Sequence, residues 1–289
     1  VTGASSGIGP YIARAFAQTG ANVALVGRSS ERLKEVTAQL NQLGTRAISA
    51  AVDLTDPSAR AALIEQTEKE LGPVDILVNN AGVHYTGPFA LLDLEEIDQI
   101  VQTNLVAAIH LTRSVLPGML KRKRGHIIHN AGLAGKVGMP YLAAYSATKY
   151  GLVGFNHALQ ADLRNTGVYS TSMGFGFISR TGMWARFKRR VHPAFGLSSP
   201  ERVAHLTVRA VQHRWVERVI NPIPVRPVVG LWAIAPGLAS WMFRTLRVEQ
   251  FMHDNARSVQ ADRSILDTGV TSDQSAQRSN GPQLHEALD

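Results

Sequence analysis

The stretch Thr2-Gly3-Ala4-Ser5-Ser6-Gly7-Ile8-Gly9 restricts this chain more than any other. Glycines at 3, 7 and 9 allow a tight turn and let the backbone approach a bound pyrophosphate closely. A helix from about Ile8 to Thr19 follows, and its first amides point at the same place. Then Ala21 to Gly27 (ANVALVG) reads as a buried parallel strand, apolar and bounded by turn residues. A glycine loop, a helix and a strand in that order begin a dinucleotide-binding unit, whereas the loop alone would be an ordinary glycine turn. Gly3, Ser5, Ser6, Gly7, Ile8 and Gly9 are therefore the expected cofactor contacts. Such a unit needs a hydrophobic strand ahead of the loop, and only Val1 and Thr2 stand there. The expectation is a natural start upstream of Val1, without which the most central strand is a stub.

The alternation continues. Helices are expected over Ser30 to Leu43, Pro57 to Leu71, Leu94 to Leu120, the segment from Tyr145 to about Asn165, and Pro200 to Val211. Strands are expected at Ala47 to Val52, Val74 to Val78, Gly125 to Asn130, Val168 to Phe175 and Glu217 to Ile220. This pattern predicts an α/β fold, a doubly wound parallel sheet of Rossmann type in a single domain over residues 1–221. Its active site belongs beyond the carboxyl ends of the strands. Residues 222–252 read as an apolar carboxyl-terminal extension. From His253 the chain turns polar, so residues 253–289 are expected to be a disordered tail.

With 289 residues, 45% of them hydrophobic, the chain can bury a sizeable core. It has no cysteine, which excludes disulfides and thiolate metal sites and fits a reducing compartment. No metal site is expected. The net charge of +8 can signal nucleic acid or an anionic surface. No zinc-finger or RNA-binding signature accompanies it, so no nucleic-acid partner is expected. Lys121-Arg122-Lys123-Arg124 suits the end of a helix, where cations meet the negative pole. No signal peptide is visible, and a cytoplasmic protein is expected.

Two patterns bear on chemistry. After the strand at Ala21 to Gly27, an acid would bond the adenosine ribose of NAD, and Gly27-Arg28-Ser29 stands there instead. A guanidinium can hold a 2′-phosphate, so NADP(H) is expected over NAD(H), Arg28 otherwise being a loop residue in solvent. The second pattern is Tyr145-Ser146-Ala147-Thr148-Lys149. Tyrosine and lysine four apart share a helix face, and the ammonium should draw the phenol pKa down toward neutrality. Asp53 lies where a strand end meets adenine, or else makes a turn. Asn79-Asn80-Ala81-Gly82 suits a loop packed on a cofactor. Asn104, among apolar neighbours, must bridge helix turns or bind a water.

Together these motifs resemble the short-chain dehydrogenase/reductase family over about Val1 to Ile220. The resemblance implies that Tyr145 exchanges a proton with the substrate oxygen while hydride passes to or from the nicotinamide. It implies that Lys149 holds the nicotinamide ribose, that Asn104 anchors a relay water and that Asp53 meets adenine. Asn79, with Ala81 and Gly82, would line the cofactor, and Thr181 would reach its carboxamide. Two positions depart from the family. The usual serine thirteen residues before the tyrosine is Gly132, and losing one such donor costs on the order of 3 kcal/mol. His129 and Asn130 are the nearby candidates to compensate, although strand alternation sends them to opposite faces. The usual Pro-Gly after the sixth strand is Phe175-Gly176. A nucleotide-binding sensor or scaffold of impaired activity is the alternative to an enzyme.

Thr181 to Ser199 is the expected substrate lid, with Met183, Trp184 and Phe187 beside Arg186, Lys188, Arg189 and Arg190. It suits a lipophilic or acyl substrate, or is simply an amphipathic helix. Val228 to Phe243 is strongly apolar but shorter than a membrane-spanning helix and broken at Pro236-Gly237. It is expected to cover the substrate pocket or to lie on a membrane surface, with Trp232 and Trp241 as anchors and Arg244 and Arg247 beyond. Gly151 and Gly154 on the tyrosine helix suit a homo-oligomer interface or packing within the chain.

Overall fold

The computed structural model describes residues 1–182 and 196–257. It is a three-layer α/β/α sandwich. In chain order the first half contains α1 (Gly9–Ala17), β1 (Val23–Gly27), α2 (Ser30–Asn41), β2 (Ala47–Ala51), α3 (Pro57–Leu71), β3 (Ile76–Asn79) and α4 (Leu94–Val101). A π turn at Gln102–Val106 joins α4 to α5 (Ala107–Arg122). Then come β4 (Gly125–Asn130), α6 (Ala143–Asp162), β5 (Val168–Phe175), β6 (Phe177–Ile178), β7 (Leu197–Ser198), α7 (Pro200–Gln212) and β8 (Glu217–Ile220). The extension forms α8 (Arg226–Ile234) and α9 (Pro236–Thr245), then a helix over residues 248–257.

All strand pairs are parallel, with β1 on β2 and the order β3-β4-β5-β8 beside them. Residues 1–4 join the two groups. Val26 N–H donates to Val1 O at 3.0 Å, Ala4 N–H to Val26 O at 2.8 Å, and Thr2 N–H to Val78 O at 3.0 Å. Thr2 thus forms a parallel bridge with Val26 between the two groups.

Why the sheet is covered on both faces follows from which residues are apolar. On one face α1 buries Ile12, Ala13 and Phe16, α2 buries Leu33 and Leu40, and α7 buries Val203 and Val208. On the other, Leu63 of α3, Leu111 and Val115 of α5, and Leu159 of α6 form a second core. Strand β4 is buried along its whole length, as a central parallel strand must be. Helix starts follow local chemistry: Ser29, Asp56 and Ser199 cap α2, α3 and α7, and prolines stand early in α3 and α7.

The extension does not stand away from the sheet. Phe243 and Val248 pack with Val137, and Trp232 lies 5.1 Å from Phe243 ring to ring. Val137 belongs to the segment just before α6, so the extension braces that segment. Trp232 is engaged in this packing, while Trp241 is exposed. Helix continues through His253 to residue 257, with Asn255 and Ala256 buried. Helix therefore runs past the boundary at His253 that composition suggested, with the His253 ring 5.6 Å from that of Tyr141, and residues 258–289 of the expected tail lie outside the described residues. The expected lid residues Met183 to Arg190 lie outside the described residues. On α6, a β-carbon at Gly151 would lie 3.1 Å from Leu105, so that glycine serves packing within the chain.

Candidate active site

The glycine loop is fixed by sterics. Gly3 and Gly7 have φ of +65° and +63°. A β-carbon at Gly9 would lie 2.1 Å from Gly3 O, and one at Gly3 would lie 2.8 Å from Ala81 Cα. No larger residue fits either place without moving backbone. Ser5 closes on the end of β1, where a β-carbon at Gly27 would be 2.7 Å from its Oγ. Helix α1 begins at Gly9 with Ile8 at its cap position, no side-chain cap and no acid in its first turn. Its free amides and positive pole can receive a phosphate. Thr181 donates its hydroxyl to Gly7 O at 3.1 Å, so it belongs to the rim of this loop.

The loop after β3 is pinned from two sides. Thr2 Oγ1 accepts from the N–H groups of Asn80 and Ala81, both at 2.9 Å. Asn104 lies in the π turn and clamps the next part: its Oδ1 accepts from Val83 N–H at 2.7 Å, and its Nδ2 donates to Val83 O at 2.9 Å. The buried Asn104 side chain therefore satisfies itself on a neighbouring loop, rather than across helix turns. Gly82 lies between the clamps, and a β-carbon there would be 3.3 Å from Asn104 Oδ1 and 3.6 Å from Lys149 Nζ. The glycine loop, the Asn79–Gly82 motif, Asn104 and Lys149 thus meet in one place.

Lys149 is buried on α6 and donates to Asn130 O at 2.9 Å. Its Nζ lies 5.4 Å from the centroid of the Tyr145 ring. The helix turn does bring phenol and ammonium together, but the expected electrostatic outcome is reversed. Burial pushes the Tyr145 phenol up, and burial lowers Lys149 to about 8. Desolvation disfavours each charged form and outweighs their mutual attraction. Tyr145 is consequently a neutral phenol that can give a proton. Most of Lys149 is cationic at pH 7 and loses that charge as pH rises through about 8.

Three expectations about polar residues need correction or refinement. Asn79 does not project into the cleft: its Nδ2 faces Ala108 O, Thr112 Oγ1 at 3.2 Å and His129 Nδ1 at 3.3 Å, beneath the sheet. The backbone alternates, so the adjacent Asn80 turns the other way and donates to Thr2 O at 2.9 Å. Asp53 makes a turn, accepting from Thr55 N–H and Oγ1–H, each at 2.9 Å. These bonds, with a smaller contribution from Arg28, hold its carboxyl below the usual range. Arg28 is exposed at the end of β1, free to reach a ligand. Neither His129 nor Asn130 stands in for the absent serine. His129 is buried edge-on against Phe155 at 5.4 Å, and Asn130 donates to Asn80 Oδ1 at 2.9 Å. Gly132 itself has φ of +67°, and a β-carbon on it would lie 4.0 Å from the Tyr145 hydroxyl. The space beside the phenol is the one a serine would use, but the backbone there favours glycine.

Sequence reasoning missed Thr2, Thr148 and His84. Thr148 Oγ1 accepts from Asn104 Nδ2 at 3.3 Å. The His84 ring lies 6.1 Å from that of Tyr145, edge to face. The threonines lay inside motifs already singled out, whereas only the loop's path reveals His84.

Comparison with known proteins agrees with this geometry. Residues 1–191 match the family described as short chain dehydrogenase. The ketoacyl reductase HetN of Nostoc sp. is 35% identical over 263 residues, covering 89% of this chain and 92% of that protein. Dehydrogenase/reductase SDR family member 7B of Xenopus laevis is 31% identical over 254 residues, covering 82% of this chain and 78% of its own length. Among solved structures, a metagenomic short-chain oxidoreductase in complex with NADP superimposes with a TM-score of 0.67 at 33% identity, over 77% of this chain and 96% of that one. Fold, motifs and matched length agree, and this chain is an oxidoreductase of the short-chain dehydrogenase/reductase family.

Proposed function

We propose that this protein reduces a carbonyl to an alcohol on a lipophilic acyl substrate, with NADPH as the donor. The observation that carries this reading is the position of Lys149. Its ammonium lies 3.6 Å from where a Gly82 β-carbon would be and 5.4 Å from the Tyr145 ring, so proton donor and cofactor loop share one wall. Similarity to a ketoacyl reductase and to an NADP-bound structure supports the substrate class and the cofactor.

The residues present fit a dinucleotide. The cradle excludes a β-carbon at Gly3 and Gly9 and turns at Gly7 with φ of +63°, α1 offers uncapped amides, and exposed Arg28 can meet a 2′-phosphate. Thr181, Ser5 and Ser6 rim the loop. When bound, NADPH supplies the hydride. Tyr145 gives its phenolic proton to the substrate oxygen, which takes negative charge as hydride arrives at the carbonyl carbon. Lys149 holds the ribose side and stabilises the phenolate left behind. Asn104 keeps the Val83 backbone fixed, and its π turn marks a helix opened at a functional site. The same steps reversed oxidise the alcohol.

The test uses the purified protein, NADPH and acetoacetyl-N-acetylcysteamine, a simple 3-oxoacyl thioester, with loss of NADPH absorbance as the readout. Steady turnover is expected. Tight NADPH binding without turnover, across this and a panel of ketones and aldehydes, would replace the enzyme with a nucleotide-binding sensor, the outcome Gly132 favours.

The α8–α9 corner supports a second part of the reading, contact with a membrane surface. Ile234 is 86% exposed, Trp241 57% and Leu238 52%, and Arg244 and Arg247 are exposed beside them. No helix among the described residues is long and apolar enough to cross a membrane. An exposed apolar corner with cations suits the interface of an anionic bilayer, from which a lipophilic substrate would enter. Co-sedimentation with phosphatidylserine vesicles should fall on Trp241→Glu; equal partitioning of the two proteins removes this part. Exposed Tyr150 and Gly154 on α6 support a homo-oligomer, which light scattering reads directly.

A further inference from the structure

We infer that Asn130 is a positioning residue that holds the glycine turn and the Lys149 ammonium in fixed relation, a role in turnover that rests on the reductase reading above. Asn130 ends β4, beside Asn80 at the end of β3, with Thr2 on the far side of that strand. Asn79 pairs with His129 in the register of β3 and β4, so Asn80 and Asn130 are the next residues along. The Asn130 side chain donates from Nδ2 to Asn80 Oδ1 at 2.9 Å. Asn80 passes the contact on: its Nδ2 donates to Thr2 O at 2.9 Å and to Gly3 O at 3.4 Å. The backbone carbonyl of Asn130 accepts from Lys149 Nζ at 2.9 Å. One residue thus holds the cofactor turn through its side chain and the cation through its main chain.

The two amide orientations support each other. Backbone carbonyls face one end of the Asn80 side chain, so its Nδ2 lies there and its Oδ1 lies toward Asn130. Asn130 must then present Nδ2, which leaves its own Oδ1 without a partner among the described residues, although the residue is only 2% exposed. A buried unpaired acceptor is unfavourable. An aliphatic side chain suits a central parallel strand and would leave none. Packing alone therefore does not call for an amide here, whereas the bond to Asn80 does. The turn it supports is close against Asn80, since a β-carbon on Gly3 would lie 3.1 Å from Asn80 Nδ2. A shift of that turn would displace a bound dinucleotide relative to Tyr145, and rate is sensitive to small displacements. Asn130 acts through Asn80 and Lys149, not on the reacting atoms.

Asn130→Leu keeps a branched side chain without a donor, and Asn130→Val does so in less space should leucine crowd the site. Each is expected to weaken NADPH affinity, read by its fluorescence on binding, about five- to tenfold. Each should also lower kcat with acetoacetyl-N-acetylcysteamine about tenfold. KM for the thioester and thermal unfolding without cofactor should stay near wild type. Asn80→Ala breaks the next link, so combining it with Asn130→Leu should weaken NADPH binding no further than Asn80→Ala alone. NADPH affinity within about twofold of wild type in both Asn130 variants would remove the role. Losses that multiply in the double variant would show that Asn130 does not act through Asn80. A loss of affinity matched by a fall in the thermal midpoint would make Asn130 a residue of the fold alone. A wild type that binds NADPH yet reduces nothing would overturn the reductase reading, and the affinity cycle would still decide whether Asn130 holds the turn.

Discussion

The two halves of the cleft are built by opposite means. On the cofactor side, shape is set by exclusion: β-carbons at Gly3, Gly9 and Gly27 would fall 2.8, 2.1 and 2.7 Å from their nearest neighbours. On the substrate side, shape is set by clamps that reach across from elsewhere. Asn104 holds the His84 loop, and Phe243 and Val248 brace the segment before α6. Exclusion leaves a position one acceptable residue, whereas clamps hold a loop and leave its side chains free to differ.

The largest effect should separate the halves outright. Tyr145→Phe removes the proton donor but leaves the glycine loop untouched. Turnover of a 3-oxoacyl thioester should fall about 10²- to 10⁴-fold, while NADPH affinity by fluorescence titration stays near wild type. Equal losses in both measurements would show that the two halves are not separable.

Both halves rest on β4, which carries two buried histidines. Burial, and secondarily Arg214, lowers His126 to about 4; burial, and secondarily Lys149, lowers His129 to about 3. Unfolded histidines take up protons through about 6.5, so between those values the unfolded chain binds more protons than the folded one. Stability is therefore full above about pH 6.5 and falls as acid is added. At pH 5 each histidine should cost about 2 kcal/mol relative to pH 7.5, roughly 4 kcal/mol together. Urea unfolding at the two pH values measures this, and NADPH binding and turnover should be lost in parallel. A midpoint unchanged at pH 5 would mean that these rings are solvated.

How much of this was legible in sequence follows the same division. The glycine loop, the strand alternation and the Tyr145–Lys149 turn could be read directly, because helix periodicity and the space around glycine act within a few residues. Asn79 was misplaced, since two adjacent asparagines give no sign of which one alternation sends under the sheet. The phenol pKa was misjudged because spacing shows the ammonium but not the burial that outweighs it. His84 and the docking of residues 253–257 depend on contacts between distant segments, and local pattern does not carry those. The prediction that tests exclusion is Gly9→Ala. A methyl placed 2.1 Å from Gly3 O must displace backbone, at a cost of about 1–3 kcal/mol in stability. NADPH affinity should weaken at least about tenfold, and a thermal scan beside the titration would reveal a cradle that can relax.

The smallest effect concerns Arg28, an expected cofactor contact that is exposed and not set by exclusion. It resembles the substrate half in this respect, so it should be replaceable without harm to the fold. Its guanidinium can pair with a 2′-phosphate, a charged hydrogen bond of roughly 1.5–3 kcal/mol. Arg28 is also near enough to Asp53 to contribute, after the Thr55 hydrogen bonds, to holding that carboxyl below its usual range. Arg28→Ala should therefore raise KM for NADPH at least about tenfold and leave KM for NADH and kcat with either cofactor nearly unchanged. A variant that loses both cofactors equally would place Arg28 with the glycines, as part of the cradle rather than a reader of the phosphate.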